Sequence, residues 1–164
     1  LTTSPELPAT TLEYHCCQYM FAVCTSLTTA PKMSATTLAL SCCYRMFFNC
    51  TNLTTAPELP ATTLAPACYE QMFYGCTSLT TAPELPATTL AQYCYKYMFN
   101  NCTNLQSVTT YATTWNPDDT NNWLGNAGTQ ATNPTLYCPA DSTLKTYTDN
   151  NAGIPTGWTQ VDLP

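Results

Sequence analysis

A 26-residue repeat is the feature that most constrains the fold of this chain. The stretch TTAPELPATTLA occurs verbatim at Thr54 and at Thr80, and looser copies precede both. Six columns recur with the same period, and they begin at Pro5, Cys16, Met20, Phe21, Cys24 and Leu27. Four copies that share so many columns indicate one structural unit, which must stack on its neighbours to bury its apolar side chains.

Each copy divides into two halves of different pattern. In the first copy, apolar residues at Leu12, Cys16, Met20 and Phe21 have the spacing of one helix face. The segment Leu27–Pro31 is too short for a helix, and its threonines favour a short strand that the proline ends. Left-handed residues that end the helices are expected at Asn49, Gly75 and Asn101. The pattern therefore predicts an α/β solenoid with parallel strands on one side and helices on the other.

The period fails after Leu105, although Val108 still fits its column and predicts one more strand. All three tryptophans, Trp115, Trp123 and Trp158, lie in the remainder, where large aromatics can cover the exposed end of a repeat core. The alternative is a sugar-binding platform, with Trp115 as its best candidate. We thus divide the chain into residues 1–108, about four repeats, and residues 109–164, a C-terminal capping segment. Within the cap we expect short strands at Tyr137 and Trp158–Val161 and a short helix at Asp141–Asp149.

The eleven cysteines follow the repeat, since two columns contain eight of them. We expect buried, reduced thiols there, because helices packed about 8–10 Å apart would hold them beyond disulfide reach. Cys17 and Cys43 align with Tyr69 and Tyr95, so we expect this column to be half exposed. Cys138 is expected to be packed. The chain has no CxxC pair, which argues against zinc.

Charge and motifs disfavour several functions. The net charge is −6, and only four Lys and Arg residues occur, so there is no basic stripe for nucleic acid. No apolar run approaches the ~20 residues of a membrane helix, so we expect no direct membrane insertion by this segment. His15 is the only histidine, and no GxSxG, phosphate-loop or HExxH motif occurs. We therefore predict no enzyme activity, no catalytic residue, no cofactor and no metal ligand.

The predicted strands present a hydroxyl-rich strip with a column of carboxylates beside it. We take this strip as the candidate binding face: Thr28, Thr29, Thr54, Thr55, Thr80, Thr81, Glu58 and Glu84. The glutamates also fit a solvated stripe, relieved by Lys32 in the second copy, or a weak calcium site between Glu58 and Glu84. A second candidate surface is the set of tyrosines on the predicted helical side: Tyr14, Tyr19, Tyr44, Tyr69, Tyr74, Tyr93, Tyr95 and Tyr97.

The four segments MFAVCTSL, MFFNCTNL, MFYGCTSL and MFNNCTNL, together with TTAPELPATTLA, resemble the BspA-like leucine-rich-repeat surface proteins of Bacteroidetes. The resemblance implies a right-handed leucine-rich-repeat solenoid, completed here by a non-repeating C-terminal cap. It also implies an extracellular, cell-surface location and a role in adhesion. The expected function is non-catalytic recognition of a protein or glycan on a host or neighbouring cell. The alternative is a structural spacer or display scaffold, in a surface protein or a phage tail fibre, with no ligand of its own.

Overall fold

The computed structural model of the protein describes residues 4–147 and 153–163. Residues 1–3, 148–152 and 164 lie outside this part, and so do the last two residues of the helix predicted at Asp141–Asp149. For reference, copy 1 is residues 1–26, copy 2 is 27–52, copy 3 is 53–78 and copy 4 is 79–104.

The regular elements of the described chain follow the four copies. In order they are β1 (Ser107–Thr109), α1 (Pro117–Thr120), β2 (Thr135–Pro139), a 3-10 helix (Thr143–Thr146) and β3 (Thr159–Leu163). The strands form one parallel sheet in the order β1-β2-β3. The strands predicted around Val108, Tyr137 and residues 158–161 are confirmed, and the predicted helix at Asp141–Asp149 is reduced to a single 3-10 turn.

The predicted right-handed leucine-rich-repeat solenoid of strand-plus-helix units is wrong. Within the described part of copies 1–4 there is no α-helix and no strand longer than an isolated bridge. The parallel strands expected at Leu27–Pro31 are represented by single bridges, such as Thr29 to Thr55. The copies consist mainly of tight turns and extended coil, and the small parallel sheet belongs to the C-terminal third.

The segments predicted as helices are instead chains of overlapping turns. In copy 1, the N–H groups of Cys16, Gln18 and Met20 donate locally, each to the carbonyl three residues earlier. The residues between them donate to copy 2, as Cys17 N does to Cys42 O at 2.9 Å. Alternate backbone groups therefore hold the turns, and the others hold neighbouring copies together.

Left-handed residues recur every fourth position along these turns. In copy 1 they are His15, Tyr19 and Val23, with φ of 54°, 56° and 59°. The left-handed backbone expected at Asn49, Gly75 and Asn101 is confirmed, with φ of 55°, 72° and 61°. These residues close turns and do not end helices. His15 is the third residue of the turn Glu13–Cys16. A type II turn requires positive φ at this position, and His15 has it.

The spacing between copies explains why no helix forms. The rings of Phe21, Phe47, Phe73 and Phe99 stack at centroid distances of 5.4, 5.5 and 5.6 Å. This distance is close to the ~4.8 Å between hydrogen-bonded strands and about half the ~10 Å width of a helix. The turn segment is also rich in Thr, Tyr, Cys and Phe, which favour helix weakly. Apolar periodicity alone therefore predicted the wrong local structure.

The core is built from the repeating columns. Met46, Met72 and Met98 are fully buried, as are the phenylalanines that follow them. The half exposure expected for Cys17 and Cys43 is wrong: they are 5% and 0% exposed. Their column is interior because Tyr69 and Tyr95 are themselves buried and stack at 6.5 Å.

The cysteines are free thiols throughout. The six in copies 2–4 that belong to the two full columns are buried, as predicted, although Cys16 is exposed and Cys24 is partly exposed. We expected packed helices to keep the cysteines of successive copies beyond disulfide reach. That explanation is wrong, because the described part of copies 1–4 contains no α-helix. Cys138 is buried, as expected.

Tryptophans occupy the interior of the C-terminal segment. Trp115 and Trp123 are 3% and 1% exposed, and their ring centroids lie 4.8 Å apart. The indole N–H of Trp123 donates to Gly153 O at 3.0 Å, while that of the partly buried Trp158 donates to Ala127 O at 3.2 Å. Burial of Trp115 is inconsistent with an exposed sugar platform and agrees with a covering role.

Among residues 4–147 and 153–163, no helix has the length and apolar character needed to cross a membrane.

Candidate functional site

The threonines and glutamates of the predicted binding face all lie at the surface. We call this set the Thr–Glu face: Thr28, Thr29, Thr54, Thr55, Thr80, Thr81, Glu58 and Glu84. Backbone contacts keep neighbouring copies in register along it. Thr29 pairs with Thr55, and Thr81 pairs with Ser107 of β1. The amide and the hydroxyl of Thr54 both donate to Thr28 O, at 2.9 and 3.0 Å.

Two shallow grooves run between copies 3 and 4 on this face. The lining of the first includes Thr54, Thr55, Thr80, Thr81 and Pro83. The second continues along the prolines and contains both carboxylates; its lining includes Pro57, Glu58, Pro60, Pro83, Glu84 and Pro86. Proline rings give the second groove apolar walls, and the two glutamates give it acceptors. This proline lining is the part of the site that the sequence reasoning missed, although the prolines of the repeat were its visible signal.

The carboxylates on this face are not gathered into a metal centre. Glu58 and Glu84 line the same groove. Within residues 4–147 and 153–163, however, no group of three or more His, Cys, Asp or Glu side chains is arranged to hold a metal ion. The calcium alternative therefore gains no support from the geometry.

A second surface lies on the turn-rich side of copies 1–3, around Arg45. Its guanidinium sits over the rings of Tyr19, Tyr44 and Phe48, at 5.6, 5.1 and 5.0 Å from their centroids. Its nitrogens donate to Tyr19 Oη at 2.8 Å and to Gln71 Oε1 at 2.9 Å. Tyr69 and Tyr95, assigned to this surface from sequence, are buried instead. Because Arg45 is already engaged by its neighbours, it contributes mainly to packing between copies.

Four thiols meet where copies 1 and 2 adjoin. Cys16 Sγ lies 3.6 Å from Cys17 Sγ, and Cys42 Sγ lies 3.8 Å from Cys43 Sγ. Burial and hydrogen bonding to Cys17 raise the pKa of Cys16 to about 11. A hydrogen bond from Cys43 lowers the pKa of Cys17 to about 6, but the Cys17 side chain is enclosed. The exposed thiol is thus weakly nucleophilic at neutral pH, and the acidic one is shielded from solvent.

His15 provides no partner for these thiols. Its Nδ1 is engaged by Gln18 Oε1, and its ring contacts that of Tyr14, with centroids 3.8 Å apart.

Comparison with family models, with curated proteins and with solved structures finds no match to this chain. The resemblance to the BspA-like surface proteins therefore stays a prediction.

Proposed function

We propose that the protein is a non-catalytic recognition module that acts outside the cell, at a cell surface, and binds a protein or glycan through the Thr–Glu face. The observation that carries this proposal is the arrangement of that face. Six exposed threonines recur in register across copies 2–4, two exposed glutamates recur in copies 3 and 4, and in copies 3 and 4 these side chains line two adjoining grooves.

The chemistry of the face suits a neutral, hydroxyl-bearing or amide-bearing ligand. Threonine hydroxyls donate and accept hydrogen bonds, and carboxylates accept them strongly. Pro60, which is exposed, and Pro86, which is partly exposed, offer apolar contact with the ring faces of a sugar or with aliphatic side chains. The two carboxylates also favour a neutral or cationic ligand over an anionic one.

The test is a binding screen of the protein against extracellular-matrix proteins, mucin and a glycan array. The informative variant changes Thr54, Thr55, Thr80 and Thr81 to Lys, which replaces hydroxyls in the groove with long cations. A matched control changes a second set of four exposed threonines in the same copies to Lys: Thr62, Thr63, Thr88 and Thr89. Both variants gain the same charge, so a general electrostatic effect would appear in both.

Loss of binding in the first variant alone supports recognition at the Thr–Glu face. Equal loss in both variants places the effect on charge and contradicts the proposed site. No binding by folded, monodisperse parent protein contradicts recognition by this chain and favours the spacer or display scaffold.

A further inference from the structure

A cavity of about 350 Å³ lies in the C-terminal segment. Two stretches of chain line it, one within residues 126–134, just before β2, and one at residues 155–158, just before β3. The cavity shares no lining residue with the two grooves of the Thr–Glu face. We call it the Trp158 pocket, and its lining includes Asn126, Thr129, Asn133, Gly157 and Trp158.

The chemistry of the Trp158 pocket combines neutral polar groups with one aromatic ring. None of the described residues that line it is charged. The amides of Asn126 and Asn133 provide donors and acceptors, and the hydroxyl of Thr129 can both donate and accept. Trp158 is partly buried and is the only aromatic residue among the described lining residues. This combination suits an uncharged ligand that bears several hydroxyls on an apolar ring.

The indole ring of Trp158 is held in place by its neighbours. Its N–H donates to Ala127 O at 3.2 Å. A Cβ built on Gly128 would lie only 3.0 Å from Trp158 Cζ2, so the ring packs closely on the backbone of this glycine. On the other stretch, a Cβ built on Gly157 would meet no atom within 4 Å apart from its chain neighbours, so open space adjoins the ring. A ring fixed before binding loses little conformational entropy when a ligand contacts it.

Part of the hydrogen-bonding capacity of the lining is not used by the protein. The side chain of Asn133 makes no hydrogen bond to any described residue. Asn126 Nδ2 donates to Asn101 Oδ1 at 3.0 Å, and no described group donates to Asn126 Oδ1. The Thr129 hydroxyl donates to Asn126 O at 3.3 Å and can still accept. All three side chains are exposed, so a ligand with hydroxyl groups can replace solvent at each of them.

We propose that the Trp158 pocket binds one pyranose unit of a neutral saccharide. The sugar ring lies against the indole of Trp158, and its hydroxyls hydrogen-bond the side chains of Asn126, Thr129 and Asn133. A volume of about 350 Å³ is near the lower end of the ~300–1,000 Å³ range of small-molecule pockets, which fits a single sugar ring. This site is separate from the Thr–Glu face and does not depend on it.

The experiment uses five neutral sugars: glucose, galactose, mannose, N-acetylglucosamine and N-acetylgalactosamine. Saturation-transfer NMR detects binding, and a titration that follows the indole N–H signals of the protein gives the dissociation constant. The informative variant is Asn133→Gly, which removes the amide and retains the left-handed backbone of this position. A second variant, Thr129→Val, removes the hydroxyl at nearly constant volume. A matched control, Thr132→Ala, changes an exposed neighbour outside the lining.

We expect at least one of the sugars to bind, and Asn133→Gly to weaken its binding at least about fivefold, because hydrogen bonds to the sugar are lost. Thr132→Ala should bind at the parent affinity, and so should the variant with Lys at Thr54, Thr55, Thr80 and Thr81. Circular dichroism confirms that each variant is folded.

Three results would overturn the proposal. The first is no saturation transfer to any of the five sugars from folded parent protein, even at tens of millimolar sugar. The second is unchanged affinity in both Asn133→Gly and Thr129→Val, or equal weakening by Thr132→Ala. The third is loss of sugar binding in the four-lysine variant alone, which would place the sugar at the Thr–Glu face and leave the Trp158 pocket without a ligand.

Discussion

Copy 1 and copy 4 present the same repeat columns in opposite states of exposure. Met20 is 44% exposed and Met98 is fully buried, although both precede a phenylalanine in the same motif. The difference is the neighbour: Phe99 N donates to Trp123 O in the C-terminal segment, whereas the carbonyl of Met20 has no partner among the described residues. A side chain of the repeat columns is therefore buried where the next copy or the C-terminal segment covers it.

The largest expected effect comes from placing a charge at an interior position of the methionine column, Met72, and at its first position, Met20. We expect Met72→Asp to abolish cooperative unfolding, a loss of more than about 4 kcal/mol, because it buries an unpaired carboxylate. Met20→Asp should cost less than about 1 kcal/mol, because the side chain can reach water. Urea denaturation followed by circular dichroism measures both. Similar losses in the two variants would remove the contrast between copy 1 and the interior of the repeat.

Thiol labelling compares the same two states without substitution. Cys16 is exposed, while Cys68 and Cys76 are buried, and burial raises the pKa of both buried thiols. We expect Cys16 to react in the native protein, with a rate that rises about tenfold per pH unit up to its pKa of about 11, because only the thiolate reacts. Cys68 and Cys76 should react at least about 10³-fold more slowly until the protein unfolds.

Isotope-coded labelling with peptide mapping distinguishes the sites. Rapid native labelling of Cys68 or Cys76 would show that these buried thiols are as accessible as Cys16 in copy 1.

Substitution of the tryptophans tests how much the C-terminal segment contributes to the stability of the fold. We expect Trp123→Ala to cost about 3–5 kcal/mol, because it removes a side chain that is 1% exposed. It also leaves Gly153 O without its 3.0 Å hydrogen bond. Trp158→Ala should cost less, because that ring is only partly buried. Chemical denaturation of both variants measures the two losses of stability. A larger loss for Trp158→Ala than for Trp123→Ala would show that residues near β3 contribute most to the stability of this segment.

The sequence predicted which residues are interior better than it predicted their backbone. The phenylalanines from Phe21 to Phe99 and the leucines from Leu27 to Leu105 in these columns are all buried, and the left-handed backbone at Asn49, Gly75 and Asn101 was expected. The helix prediction failed because apolar spacing records which side chains face inward, while the distance between copies decides where the backbone hydrogen bonds go. At a ring spacing of 5.4 Å, alternate N–H groups reach the next copy and a helix cannot form.

The exposure of the residues of the Thr–Glu face was predictable for a related reason. Thr54 and Thr55 repeat with the period, and exposure of polar side chains does not depend on whether the backbone is a strand or coil. The proline-lined groove between Pro57 and Pro86 could not be predicted, because it depends on the close approach of copies 3 and 4. The clustering of Cys17 with Cys43 was missed for the same reason, since it depends on how copies 1 and 2 meet.

The smallest expected effect concerns the ion pair between copies 3 and 4, which joins Lys96 Nζ to Glu70 Oε1 at 3.9 Å. Burial raises the pKa of Glu70, and Lys96 partly offsets this. A carboxyl with a raised folded pKa favours folding when it is protonated, so its contribution is lost as pH rises through that pKa. Lys96→Met removes the positive charge that lowers the pKa of Glu70. The substitution should reduce the free energy of unfolding by at most about 1 kcal/mol at pH 7, because the pair is only partly buried.

The pH dependence separates this effect of Glu70 from the cation–π contact of Lys96 with Tyr93, whose ring centroid lies 4.8 Å from Nζ. Below the pKa of Glu70 in the unfolded chain, the carboxyl is neutral in both states and the cost of Lys96→Met should shrink. Glu70→Gln should remove most of the pH-dependent part, and a double-mutant cycle isolates the coupling. A cost that stays constant from pH 3 to pH 8 would assign the contribution to the contact of Lys96 with the ring of Tyr93. This contact would then resemble that of Arg45, whose guanidinium packs over three aromatic rings.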